Sequence, residues 1–135
     1  MMILYHGTTK EKSENIERIG FSSEYQGENG NHLGAGIYLA TTKKRAKCYG
    51  NAIVSVQVNP ERLVMWDEWY PDYMNRCREA YESGTPTEKV NDVVGESIRL
   101  RYMHDGYTGI IISAPMSHAK EVVIYDETVI EKVWL

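Results

Sequence analysis

A chain of 135 residues with 42% hydrophobic and 25% charged side chains has the size and balance of one soluble globular domain, residues 1–135, and not of a disordered tail or a membrane protein. Its formal net charge of −4 argues against broad nucleic-acid binding, which draws on a surplus of Lys and Arg, while leaving room for a local basic patch. The start MMILYHGTT has no basic region followed by a long apolar stretch, and nothing approaches the roughly 18 apolar residues of a membrane span, so a cytoplasmic location is expected.

In chain order, Met2–His6 reads as a short β-prone run. Thr8 and Glu11 have capping-box spacing, which starts a helix with Ile16 and Ile19 on its apolar face and Gly20 as C-cap. Residues 22–35, rich in Ser, Gly, Asn and Glu, read as a long exposed loop. Gly36–Ala40 follows as a buried strand, and Thr41 or Thr42 caps a short basic helix through Tyr49, closed by Gly50. Residues 52–58 alternate as a second strand. Trp66, Trp69, Tyr70, Tyr73, Cys77 and Tyr81 recur at helical intervals, suggesting an amphipathic helix that starts properly after Pro71. Thr85-Pro86-Thr87-Glu88 reads as another capping box with Pro86 at the first helical position. The helix it opens buries Val90, Val93, Val94, Ile98 and Tyr102 and stops near Gly106. Three strands close the chain, at 109–113, 121–126 and 129–134. The expected class is α+β, with a largely antiparallel sheet core, short flanking helices and a helical insert at 66–105.

Cys48 and Cys77 read as free buried thiols, and His6, His32, His104 and His118 have no metal-ligand spacing with them, so no metal is expected. Three other elements point to chemistry. In His6-Gly7-Thr8 a histidine ends a strand, and the glycine after it lets the backbone approach a ligand closely, although on this motif alone a satisfied structural histidine is the better reading. In Gly34-Ala35-Gly36-Ile37-Tyr38-Leu39-Ala40, followed by Tyr49, two tyrosines on neighbouring elements can sandwich a flat ring, or be plain core aromatics. Glu121 opens an apolar strand, either as a solvated strand end or as an acid at a cleft.

Taken together and in order, ILYHGT, IGF, GAGIYLA, Tyr49, GYTGIII and EVVIYD resemble the His-Tyr-Glu signature of diphtheria-toxin-type ADP-ribosyltransferases, the superfamily of poly(ADP-ribose) polymerases and tankyrases, and in particular its small bacterial and phage members. The resemblance runs from residue 3 to residue 126. It implies a split, largely antiparallel ADP-ribosyltransferase fold and NAD+ as substrate, without a metal. It also implies roles: the Gly7 backbone at the nicotinamide carboxamide, Tyr38 and Tyr49 stacked on its ring, His6 on the adenosine-side ribose, and Glu121 stabilising the oxocarbenium-like sugar, with Thr8 and Ala46 among the NAD+-binding positions. Two positions depart from it. Ala46 stands where many polymerase-like members carry a carboxamide-binding serine. Ala119 stands where arginine-specific toxins carry Gln or Glu, which disfavours an arginine acceptor.

The basic run Lys43, Lys44, Arg45 and Lys47 reads as a solvated helix face, or as one that approaches the pyrophosphate or an acidic acceptor. His32 is expected on the adenine side, and His118 as a loop histidine near Glu121. The resulting expectation is an enzyme, an NAD+ ADP-ribosyltransferase transferring single ADP-ribose units to a macromolecular acceptor, protein ahead of nucleic acid. A catalytically silent NAD- or ADP-ribose-binding module and an NAD-dependent RNA 2′-phosphotransferase are the alternatives.

Overall fold

The computed structural model describes residues 1–21, 32–113 and 120–135. Among these residues four α-helices and seven strands follow one another as β1 (Met2–Thr8), α1 (Lys10–Ile19), β2 (Ile37–Ala40), α2 (Lys43–Ala46), β3 (Ala52–Val58), β4 (Leu63–Val64), α3 (Trp66–Glu82), α4 (Thr87–His104), β5 (Gly109–Ser113), β6 (Lys120–Ile124) and β7 (Ile130–Trp134), with a 3-10 turn at Glu127–Val129 before β7. The strands form one mixed sheet in the order β4-β5-β6-β2-β1-β3-β7. Every neighbouring pair is antiparallel except β4 and β5, which run parallel on either side of the α3–α4 crossover. The α+β class and the helical insert follow the reading of the sequence. The two-residue strand β4 does not, because Leu63-Val64 is too short to show a period of two.

Alternation along each strand divides the core between two faces. Ile37, Leu39, Val122 and Ile124 face the side where Ile16 of α1 packs with Leu4 and Val56. Val123 and Ile110 face the other side, with Trp69 of α3 and Ile98 and Tyr102 of α4. Trp69 is 2% exposed, and its indole N–H donates to the Ile111 carbonyl at 2.8 Å, so the largest core side chain also ties α3 to β5. Cys77, Val90 and Val94 fill the seam between α3 and α4.

Several boundaries differ from the sequence reading, each for a local reason. Thr8 stays in β1 opposite Ala52, and Thr9 is the N-cap of α1, its side chain accepting from Lys12 N at 3.2 Å. Gly20 closes α1 at a φ of 80°, donating to the Ile16 carbonyl. Thr42, not Thr41, caps α2, which is one turn long and ends at Ala46 before a turn to Gly50. Helix α3 begins at Trp66 and runs through Pro71, because Trp66, Trp69 and Tyr70 pack on one another in its first turns. Helix α4 starts one residue late, with Pro86 as an N-cap lacking a side-chain bond. Its buried stripe is Val90, Val94, Gly95, Ile98 and Tyr102, at spacings of three and four. Val93 falls outside that stripe and is 53% exposed, as is Tyr81 at 52% on α3. Cys77 is buried as expected, but Cys48 is exposed in the turn after α2. No helix among the described residues is long and apolar enough to cross a membrane.

Candidate active site

Strands β2 and β6 align Ala40 with Glu121 and Tyr38 with Val123, and directly opposed residues share a face, so Tyr38, Ala40 and Glu121 lie on the same side of the sheet. Tyr5 of β1 stands opposite Ala40 and extends that row. This is the one register pair between β1 and β2, whereas β1 and β3 stay in register from Met2 opposite Val58 to Thr8 opposite Ala52. The central ladder is therefore minimal where His6–Thr8 pass Ile37–Leu39. The His6 ring bridges that stretch, its Nδ1 3.3 Å from the Tyr38 carbonyl. A carbonyl only accepts, so this geometry requires the tautomer protonated at Nδ1. His6 is 2% exposed and meets the Phe21 ring edge-on at 5.2 Å between centroids.

Glu121 is held from α2 and the turn after it. The Tyr49 hydroxyl donates to Glu121 Oε1, and Arg45 Nη2 lies 3.5 Å from Oε2. The Glu121 side chain is 17% exposed and that of Arg45 43%. The carboxylate raises the Arg45 guanidinium above its ordinary range. The Tyr49 phenol is pushed up to about 12, by burial first and then by its bond to Glu121 and that residue's charge. Arg45 is the member that sequence reasoning left in a generic basic run. The signal was its i, i+4 spacing to Tyr49, which puts the two on one side of the α2 turn.

The Tyr38 hydroxyl donates to the Gly34 carbonyl at 2.8 Å and accepts from Leu33 N at 3.0 Å. Its pKa rises to about 12, through burial above all, opposed by the Leu33 N–H and reinforced by the charges of Asp92, Glu121 and Glu96. A phenol that favours its neutral form in the fold adds stability that is whole below its ordinary value of 10.0 and is lost as pH rises toward about 12. A spectrophotometric titration is accordingly expected to show one late-ionising phenol fewer in Tyr38→Phe than in the wild type. An unchanged curve removes the assignment.

The glycines make close contacts within the chain. A Cβ on Gly7 falls 1.8 Å from the Ala46 carbonyl oxygen, and one on Gly50 falls 2.4 Å from that of Thr8. The bare backbone of β1 is thus needed to seat α2 and its turn; the close approach is to the protein's own chain. Ala46 is fully buried in this contact and Thr8 is 2% exposed. A pocket of ≈ 590 Å³ opens beside them, lined by Thr8, Thr9, Lys10, Gly50, Asn51 and Ala52. Gly36 packs against Val123, and Gly34, at a φ of 91°, against Arg99.

Those last contacts give the helical insert a part in the site. Gly95 of α4 lies against the His32 backbone, Glu96 Oε2 accepts from Ala35 N at 3.4 Å, and Tyr125 donates to the Leu33 carbonyl at 2.5 Å. Residues 32–36, which carry both hydrogen-bond partners of Tyr38, are thereby fixed from α4 and the end of β6. His32 itself is exposed, its Nδ1 3.8 Å from Asp92. The rest of the expected loop at 22–31, together with His118 and Ala119, lies outside the described residues. Of the expected site residues, the structure joins Tyr49 to Glu121, sets Tyr38 diagonally across from Glu121, and links His6 to Tyr38 through the main chain.

Among the described residues no group of three or more His, Cys, Asp or Glu side chains is arranged to hold a metal ion. Compared with known proteins, the chain matches no family model, no curated protein and no solved structure.

Proposed function

We propose that this chain is an NAD+-dependent ADP-ribosyltransferase with the ADP-ribosyltransferase fold, which cleaves the nicotinamide–ribose bond and passes single ADP-ribose units to a macromolecular acceptor. The observation that carries the reading is the seating of Glu121: a carboxylate largely shielded from water, on the same sheet face as Tyr38, in contact with Tyr49, beside the sparsely paired stretch of β1 and β2.

In this reading the nicotinamide ring lies between Tyr38 and Tyr49, with its carboxamide at Gly7 and Thr8. Glu121 accepts a hydrogen bond from the 2′-hydroxyl of the adjoining ribose. As the C1′–N bond breaks, its electron pair leaves with neutral nicotinamide and positive charge builds on the sugar. The fixed carboxylate stabilises that charge, and the acceptor nucleophile bonds to C1′ and loses a proton. His6, through the Tyr38 carbonyl, braces β2, and the resemblance gives it a hydroxyl of the adenosine-side ribose. Arg45 orients the carboxylate. Arg45→Ala is expected to slow nicotinamide release by up to about fivefold, the loss of at most roughly 1 kcal/mol for one partly exposed ion pair. Faster release from that variant means instead that Arg45 masks the carboxylate.

One observation favours a second reading, that of a silent NAD- or ADP-ribose-binding module: both Glu121 oxygens already have protein partners. Incubation with labelled NAD+ and a bacterial lysate separates the two. Nicotinamide release with label on a macromolecule supports the transferase, and NAD+ binding without release supports the module.

A further inference from the structure

The chain as a whole is acidic, but its charge is unevenly spread. Residues 29–60 contain Lys43, Lys44, Arg45 and Lys47 and not one Asp or Glu, while the chain's formal net charge is −4. The fold gathers these cations on α2 and its turn, where all four are exposed. Lys43 Nζ stands 5.7 Å from the centre of the Tyr5 ring, in the row that continues through Ala40 to Glu121, and Arg45 touches Glu121 itself. Lys10 adds a further cation at the neighbouring pocket, by the first turn of α1.

We propose that the α2 surface binds the phosphate backbone of a single-stranded nucleic acid and presents it to the Glu121 site as acceptor. Three features select this occupant. The surface is dominated by charge: Ala46 is the buried member of α2, Lys43, Lys44, Arg45 and Lys47 are exposed, and the aromatic side chain beside them, Tyr49, is held on Glu121 by its hydroxyl. Protein interfaces draw their affinity from buried aromatic and aliphatic anchors, whereas a phosphate backbone needs cations alone. The pyrophosphate of NAD+ supplies two phosphates and leaves part of the lysine cluster unused. A single strand, unlike a duplex, offers unstacked bases and ends that can reach a recessed carboxylate. The role as acceptor rests on the transferase reading; the binding does not, and is measured without NAD+.

The test is fluorescence anisotropy with labelled single-stranded DNA and RNA of about twelve nucleotides, within the site size of single-strand binders, across a salt series. The wild type is compared with the variant Lys43→Glu, Lys44→Glu, Lys47→Glu and with the charge-matched variant Arg78→Glu, Lys89→Glu, Lys132→Glu, whose positions are exposed on α3, α4 and β7. The expected result is salt-dependent binding by the wild type. The α2 variant is expected to lose tenfold or more and to have a salt slope smaller by about 2, from roughly 0.7 per phosphate contact; the matched variant is expected to change less than about threefold. The DNA and RNA arms identify which polymer is preferred. Gln at the three α2 positions repeats the comparison if the Glu variant melts early. No binding at low salt, or equal losses in both variants, overturns the proposal. So does a raised KM for NAD+ with unchanged oligonucleotide binding, which assigns the lysines to the pyrophosphate. Lysate label confined to protein and not competed by oligonucleotide assigns the surface to an acidic protein, and also overturns it.

Discussion

Glu121→Gln is expected to slow nicotinamide release by roughly 100- to 1000-fold while leaving NAD+ affinity within about threefold. The amide keeps the size of the side chain and an oxygen that accepts from the Tyr49 hydroxyl and from a ribose hydroxyl, so ground-state binding survives. It lacks the negative charge that opposes the cation forming at C1′, and that term appears only in the transition state. Losing the partly exposed pairing with Arg45 costs on the order of 0–1 kcal/mol of stability, too little to unfold the chain. Release rates measured beside NAD+ affinity and a melting curve therefore isolate the chemical effect. Equal rates in the two proteins defeat the proposed role of Glu121 outright.

Gly7→Ala is expected to be the more damaging change to the molecule as a whole. The new methyl falls 1.8 Å from the Ala46 carbonyl oxygen and 2.7 Å from its carbon, and these are main-chain atoms of α2, with no flexible side chain to swing aside. Overpacking usually costs about 1–3 kcal/mol, and a clash with backbone belongs at or above the top of that range, lowering Tm by roughly 10 °C. Because α2 and its turn carry Arg45 and Tyr49, the displacement also withdraws both partners of Glu121. A melting curve beside the rate of nicotinamide release reads both effects. A variant as stable as the wild type shows that α2 is not seated on β1 in this way.

The architecture was largely legible because its signals are local. Alternation of Ile53, Val54 and Val56 with polar residues marked β3, short Ile and Val runs marked β5 and β6, and the i, i+4 series Val90, Val94, Ile98 and Tyr102 marked α4. What escaped depends on long-range contact. Whether Thr8 or Thr9 caps α1 is settled by β1 pairing with β3 through Thr8, which nothing within the helix reveals. Pro71 looked like a helix start, yet three packed aromatic rings carry α3 past it. Tyr38, Tyr49 and Glu121 were singled out by type and order, and the fold sets them close to one another. Arg45 was hidden among lysines, because only the fold distinguishes the one that turns toward Glu121. Gly7 was noticed for the close approach its bare backbone allows, and the contact with Ala46 that also needs it became visible only in the fold.

The strand order also sets a timetable for folding. β4 and β5 are joined through the α3–α4 hairpin, and β5 pairs next with β6, so this side of the molecule can assemble from segments near one another in the chain. β2 must wait for β6, pairing Ile37 with Ile124 across the greatest loop of any ladder in the sheet, and β3 must wait for β7, pairing Ser55 with Trp134 across one nearly as long; the entropy of closing such loops slows both steps. Refolding is therefore expected to be biphasic, with tryptophan burial at Trp69 preceding the burial of Val56 and Val133 between β3 and β7. During the interval the outer edge of β3 is unpaired, and it is then that the chain is most prone to pair with another copy of itself.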